Sequence, residues 1–185
     1  MKSSHRPSVT FIREAGPDQK IFRAKWVCLD PDRIMENGCV QVENGKITDI
    51  FKAGQTTRGA RDMGPGVLMP FLVNGHVHLE LSALKNKLPL GQGFGPWVKA
   101  LVEKRQELGP AGLAPRALDE AKNLVHKGMG MVGEISTLGL TMEMIGLSGL
   151  GGVWFQEWLG NTPGDSLLEK GGRLFYSGAG HAPHT

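Results

Sequence analysis

The feature that most restricts this chain is a change of rhythm at Gly64-Pro65-Gly66. Beyond it, apolar strand-like runs alternate with helix-like segments. Val67 to Val73 is apolar except for Pro70, which suits a strand buried on both faces. Pro96 to Leu108 places Trp97, Leu101, Val102 and Leu108 at helical spacing, and Gly109-Pro110 stops it. Pro115 to Lys127 repeats the pattern, with Pro115 in the first turn and Gly128 at the end. Met129 to Ser136 predicts a strand, Thr141 to Leu147 a short helix, and Gly152 to Trp158 another strand. Asp165 to Lys170 predicts a short helix closed by Gly171-Gly172, and Leu174 to Ser177 a last strand. Strands and helices in this alternation make βα units and a parallel sheet. The fold class is α/β.

Upstream, the pattern is all strand. Ile21 to Leu29 alternates loosely, and Cys39 to Glu43 leads through Asn44-Gly45 into Lys46 to Phe51. Asn-Gly between alternating runs signals a tight hairpin, since both turn residues must tolerate positive φ. The expected division is therefore a small antiparallel, sandwich-like β unit over 1–66 and a βα series over 67–185.

With 40% hydrophobic and 21% charged residues, the chain is globular in composition. Its net charge of +3 is scattered, with no Lys/Arg stripe, so nucleic acid is not an expected partner. No run approaches the ~20 apolar residues of a membrane helix, and Met1 to Arg6 leads into no signal core. Two cysteines, Cys28 and Cys39, make no disulfide framework, which points to the reducing cytoplasm.

The chemistry concentrates at His76-Val77-His78, directly after the first apolar run of the βα series. Residues two apart in an extended segment point to the same side, so both imidazoles face one point. Two neutral imidazoles there supply half the ligands of a zinc-type site. The alternative is a pair of surface loop histidines. The C-terminal end of a buried parallel strand favours the site, because α/β enzymes place their chemistry there.

From Pro70 through Leu72-Val73-Asn74 to His76-Val77-His78-Leu79-Glu80-Leu81-Ser82, the chain resembles the amidohydrolase superfamily, in its cytosine deaminase and chlorohydrolase-like branch. Gly128 to Ser136 is similar to that family's second strand, Phe155 to Gly160 to the third, and Gly180-His181-Ala182-Pro183-His184-Thr185 to the segment after the fourth. Phe71 stands where glycine is common, Glu134 where aspartate is, and His184 where tyrosine is usual.

The resemblance implies the N-terminal part of a TIM-type (β/α)8 barrel, about four βα units, since a whole barrel takes about 250 residues. It makes His76 and His78 metal ligands and His181 a substrate contact. The remaining ligands and the proton-shuttling glutamate of the family fall beyond Thr185. It implies one divalent metal ion, zinc with iron as the alternative, because no lysine ends the Leu174 strand to bridge two. The implied reaction is deamination or dechlorination of an aminated heterocycle, such as a purine nucleoside derivative, by metal-activated water.

Glu157, near a strand's end, suits substrate binding or acid–base work, or equally a cap on the strand. Glu80 suits orienting a ligand or a neighbouring loop, or an exposed ion pair. Trp97 and Trp158 fit a pocket wall or the core. The rival to an enzyme is a truncated, non-catalytic fragment that binds metal weakly or self-associates through uncovered barrel edges.

Overall fold

The computed structural model describes residues 20–55 and 58–157 in full, and the backbone alone of 158, 169–171 and 174–180. Contacts divide the described chain into two units, between Phe71 and Leu72.

In the first unit, the run from Ile21 to Leu29 is two strands, not one: β1 (Lys20–Arg23) and β2 (Trp26–Asp30). The break falls at Ala24-Lys25, whose N–H groups donate to Gly38 and Gly64 instead of continuing a ladder. The β1 strand pairs antiparallel with β4 (Cys39–Glu43), and β2 with β3 (Arg33–Glu36), so the chain passes from one sheet to another. Asn44 (φ 50°) and Gly45 (φ 74°) form the tight turn from β4 to β5 (Lys46–Phe51). The unit is not purely antiparallel. Two short strands, β6 (Arg61–Asp62) and β7 (Val67–Leu68), run parallel to β1 and β2. Phe22, Ala24, Val27, Val40 and Val42 form one core drawn from both sheets.

The second unit contains β8 (Leu72–Val77), a 3-10 turn over Leu79–Leu84, α1 (Phe94–His126) and β9 (Met129–Ser136). It continues with α2 (Thr141–Ser148), β10 (Gly151–Trp158), β11 (Glu169–Gly171) and β12 (Leu174–Gly180). The sheet order is β11-β12-β10-β9-β8, with β8, β9, β10 and β12 mutually parallel as the βα rhythm requires. Leu79, Ala117, Ala121, Leu124, Val132, Ile145, Leu150 and Trp154 make the core between sheet and helices. No helix among the described residues is long and apolar enough to cross a membrane.

Three expectations are corrected. The apolar run from Val67 is broken at Pro70, which offers no N–H to a ladder, and its parts fall in different units. It is not buried on both faces: Leu72 and Val73 are 47% and 65% exposed, because β8 is an edge of its sheet. The second helical segment starts at Pro110, not Pro115; Gly109 (φ 58°, ψ 179°) breaks α1, and Pro110 then occupies the first turn. Residues 169–170, expected as the end of a helix, pair antiparallel with β12 instead, while 165–168 lie outside the described residues.

One detail of the β8–β9 ladder positions the site. Asn74 pairs with Val132 and Val77 with Glu134, so β8 carries one residue more than β9 across this interval. That is a β-bulge at Gly75-His76. The Asn74 Oδ1 accepts the His76 N–H at 3.2 Å and closes the bulge from within. Gly133 makes room for it: a Cβ there would lie 2.3 Å from the Gly75 carbonyl oxygen. Gly133→Ala should therefore cost about 2 kcal/mol or more, since backbone must move to admit the methyl group. Denaturant melts check this; a variant as stable as the parent would show that the bulge yields freely.

Candidate metal centre

His76 and His78 follow this bulge at the C-terminal end of β8. Val77 between them packs on the sheet–helix core, so the two imidazoles emerge on the opposite face. His76 is exposed and His78 half-buried. Their Nε2 atoms are 3.2 Å apart, and the rings meet edge-on at 67°. Two nitrogens bound at ~2.0–2.1 Å to one tetrahedral zinc lie about 3.3 Å apart, so the pair fits a shared cation. Among the described residues, no third His, Cys, Asp or Glu joins them.

Glu80 lies in the 3-10 turn and is 1% exposed. Its carboxylate accepts hydrogen bonds from Ser136 Oγ (2.7 Å), Thr137 Oγ1 (2.6 Å), and the N–H groups of Thr137 and Leu138 (both 3.2 Å). Arg105 of α1 stands 3.5 Å from Glu80 and donates to Thr137 Oγ1 at 2.6 Å. Glu80 thus ties the loop after β9 to the segment after β8; it is no exposed ion pair.

Glu134 is the mirror arrangement. It lies on β9 and is fully buried, and both its oxygens accept the Leu79 N–H, at 3.0 and 3.1 Å. Thr141 of α2 also bonds it, and Trp154 Nε1 donates to Thr141 Oγ1 at 3.1 Å. Sequence reasoning noted Glu134 only as a longer stand-in for aspartate and did not single out Arg105. The missed signal is a carboxyl at core parity, between Val132 and Ser136 in a buried strand.

Strand alternation puts Glu157 on the face opposite Trp154, and hence on the same face as the histidine pair; it is half-buried. His181 and His184, and the side chain of Trp158, lie outside the described residues. Trp97 is half-buried and stacks on Phe94 at 6.2 Å near the start of α1.

The solved structures to which the chain is similar are deaminases and related hydrolases of the amidohydrolase superfamily, as its motifs suggested. Helicobacter pylori aminofutalosine deaminase, in complex with methylthio-coformycin, matches with a TM-score of 0.72 and 25% identity, over 89% of this chain and 44% of that one. An adenosine deaminase from Xanthomonas campestris with bound zinc shares the fold at a TM-score of 0.53 and 16% identity, over 74% of this chain and 33% of its own. In sequence, the aminodeoxyfutalosine deaminase of a Nitratiruptor species is 30% identical over 96 residues, which are 52% of this chain and 24% of that protein. The chain thus spans less than half the length of the proteins it matches. No family model matches it.

The two buried carboxyls have unequal surroundings. Glu80 has Arg105 and four donors; Glu134 has no cation among its contacts. Burial pushes the Glu134 carboxyl up to about 8, helped by the charge of Glu80, against the opposing hydrogen bonds from Leu79 and Thr141. An unfolded glutamate releases its proton near 4.5, so between 4.5 and about 8 the folded chain holds a proton that the unfolded chain has lost. Stability is therefore greatest at the acid end of this window, declines through it, and has lost the whole contribution above about 8. Glu134→Gln should flatten the decline. Thermal melts across the window test this, and an unchanged slope in the variant would remove Glu134 as the titrating group.

Proposed function

We propose that this chain carries the first metal-binding strand of a hydrolytic deaminase that acts on an aminated heterocycle. The observation that carries the reading is the His76–His78 pair, with Nε2 atoms 3.2 Å apart on the open face at a parallel strand's C-terminal end. Similarity to aminofutalosine deaminases over 89% of the chain supports the reaction class. The four parallel strands β8, β9, β10 and β12 are read as the beginning of an eight-stranded barrel.

His76 and His78 would hold one divalent cation, zinc in preference to iron, and the cation would supply Lewis-acid activation of water and of the leaving group. For that, both Nε2 lone pairs must face the ion, so each ring carries its proton on Nδ1. Glu157 faces the same side and is assigned to the substrate, where a carboxylate can hold or move a proton of the ring. His181, directly after β12 in sequence, is assigned to the substrate as well. Two cysteines in the whole sequence make no disulfide framework, which supports a reducing, cytoplasmic setting.

Two imidazoles are fewer than the three or four protein ligands of a tight zinc site. The 185-residue chain should accordingly bind zinc weakly, show no deaminase activity alone, and lose its binding in His76→Ala and His78→Ala. Calorimetric titration decides this. Binding that survives both substitutions would defeat the site, and tight binding would show that another group completes it.

A second reading rests on β8. As the last strand of its sheet among the described residues, with Leu72 and Val73 exposed, it offers an open edge and apolar side chains, which favour pairing with a second copy. Sedimentation should show concentration-dependent association that Val73→Lys suppresses. A parent chain that stays monomeric at every concentration would sink this reading.

A further inference from the structure

The two ends of the β8–β9 ladder raise a question that the histidines alone do not answer: what fixes the His78 ring. The ladder ends at the Val77–Glu134 pair. His78 itself has left strand geometry, with φ −116° and ψ 83°. A ring on a residue at a strand's frayed end swings with its backbone unless the next peptide is held. The Leu79 N–H belongs to that next peptide, and Leu79 is fully buried, so its donor needs a partner inside the protein. Glu134 supplies it with both oxygens, from the face of the sheet opposite the imidazoles.

We propose that Glu134 is a positioning residue for His78: by holding the Leu79 N–H from behind the sheet, it fixes the peptide plane joining His78 to Leu79 and keeps the His78 ring against His76. Its own carboxyl is held in turn by Thr141, which Trp154 orients. Glu80 completes the arrangement in the opposite direction, from the segment after β8 to Ser136, Thr137 and Leu138 after β9. Each connection is thus tied to the other by a buried carboxyl group. The consequence for cation affinity rests on the metal-site reading above; the consequence for ring geometry does not.

The test compares Glu134→Gln, which keeps an oxygen acceptor for Leu79, with Glu134→Asp, which withdraws it by one methylene, and Glu134→Val, which removes it. Ile145→Val serves as the control, since Ile145 is fully buried in the same core and its side chain has no hydrogen-bonding group to hold Glu134 or Leu79. Two readouts are taken on the full chain: imidazole nitrogen NMR without metal, and zinc affinity by titration. Glu134→Gln should keep the coupled Nε2 signals of His76 and His78 and an affinity within about 3-fold of the parent. Glu134→Asp and Glu134→Val should give the signals of two independent imidazoles and lose about 10-fold or more in zinc affinity. Should Glu134→Val not fold, Glu134→Asp carries the comparison. Parent-like imidazole signals in Glu134→Asp would overturn the proposal, as would an equal loss in Ile145→Val. If the signals change as expected while zinc affinity is indifferent to His76 and His78, the positioning stands and the metal reading falls.

Discussion

The candidate site depends on a close approach of backbone to backbone. Where β8 buckles at Gly75-His76, its neighbour β9 must come near enough to keep pairing, and only a residue without a side chain permits this. Gly133 is that residue, with the Gly75 carbonyl oxygen 2.3 Å from where a Cβ would be. The extra residue in β8 ends the regular ladder just before the chain turns into the 3-10 segment. From that one irregularity follow the exposed imidazole pair, the Leu79 donor left outside the ladder, and the need for a buried acceptor to meet it.

The acceptor's chemistry is unusual for a core. A carboxyl among Val132, Leu79 and Trp154 is costly when ionised and uncompensated by a cation, and neutralisation is the cheaper outcome. Glu80, nearby and equally buried, has Arg105 and four hydrogen-bond donors around its carboxylate instead.

Much of this was legible in the sequence. The parallel strands that begin near Met129, Gly152 and Leu174, the short helix at Thr141 and the Asn44-Gly45 turn all follow from local period and turn chemistry, and the structure has them. The convergence of His76 and His78 followed from their i, i+2 spacing. What failed did so for tertiary reasons. Apolar content at Val67 to Val73 implied burial, but burial depends on what lies over a strand, and β8 is an edge. Pro115 has the composition of a helix start, yet Gly109, free to take φ 58°, placed the break earlier. The split at Ala24-Lys25 depends on acceptors 14 and more residues away, at Gly38 and Gly64, which no local window contains. Arg105, Glu80 and Thr137 meet across three elements, and spacing along the chain carries no trace of that meeting.

Strand parity explains why the support for such a site lies where a search of its open face would not look. Side chains of successive residues leave a strand on opposite faces, so the groups adjoining a ligand in sequence are directed into the core behind it. Val77 and Leu79 go there, and so does Glu134 from the next strand. The single covalent link between the two faces is the main chain itself. A hydrogen bond to one peptide N–H is then a direct handle on the ring before it, with no side chain of the open face committed to the task. Substitutions in the buried layer are therefore felt at the histidines through backbone torsion, in a geometry where Nε2 atoms 3.2 Å apart leave little tolerance for rotation of either ring.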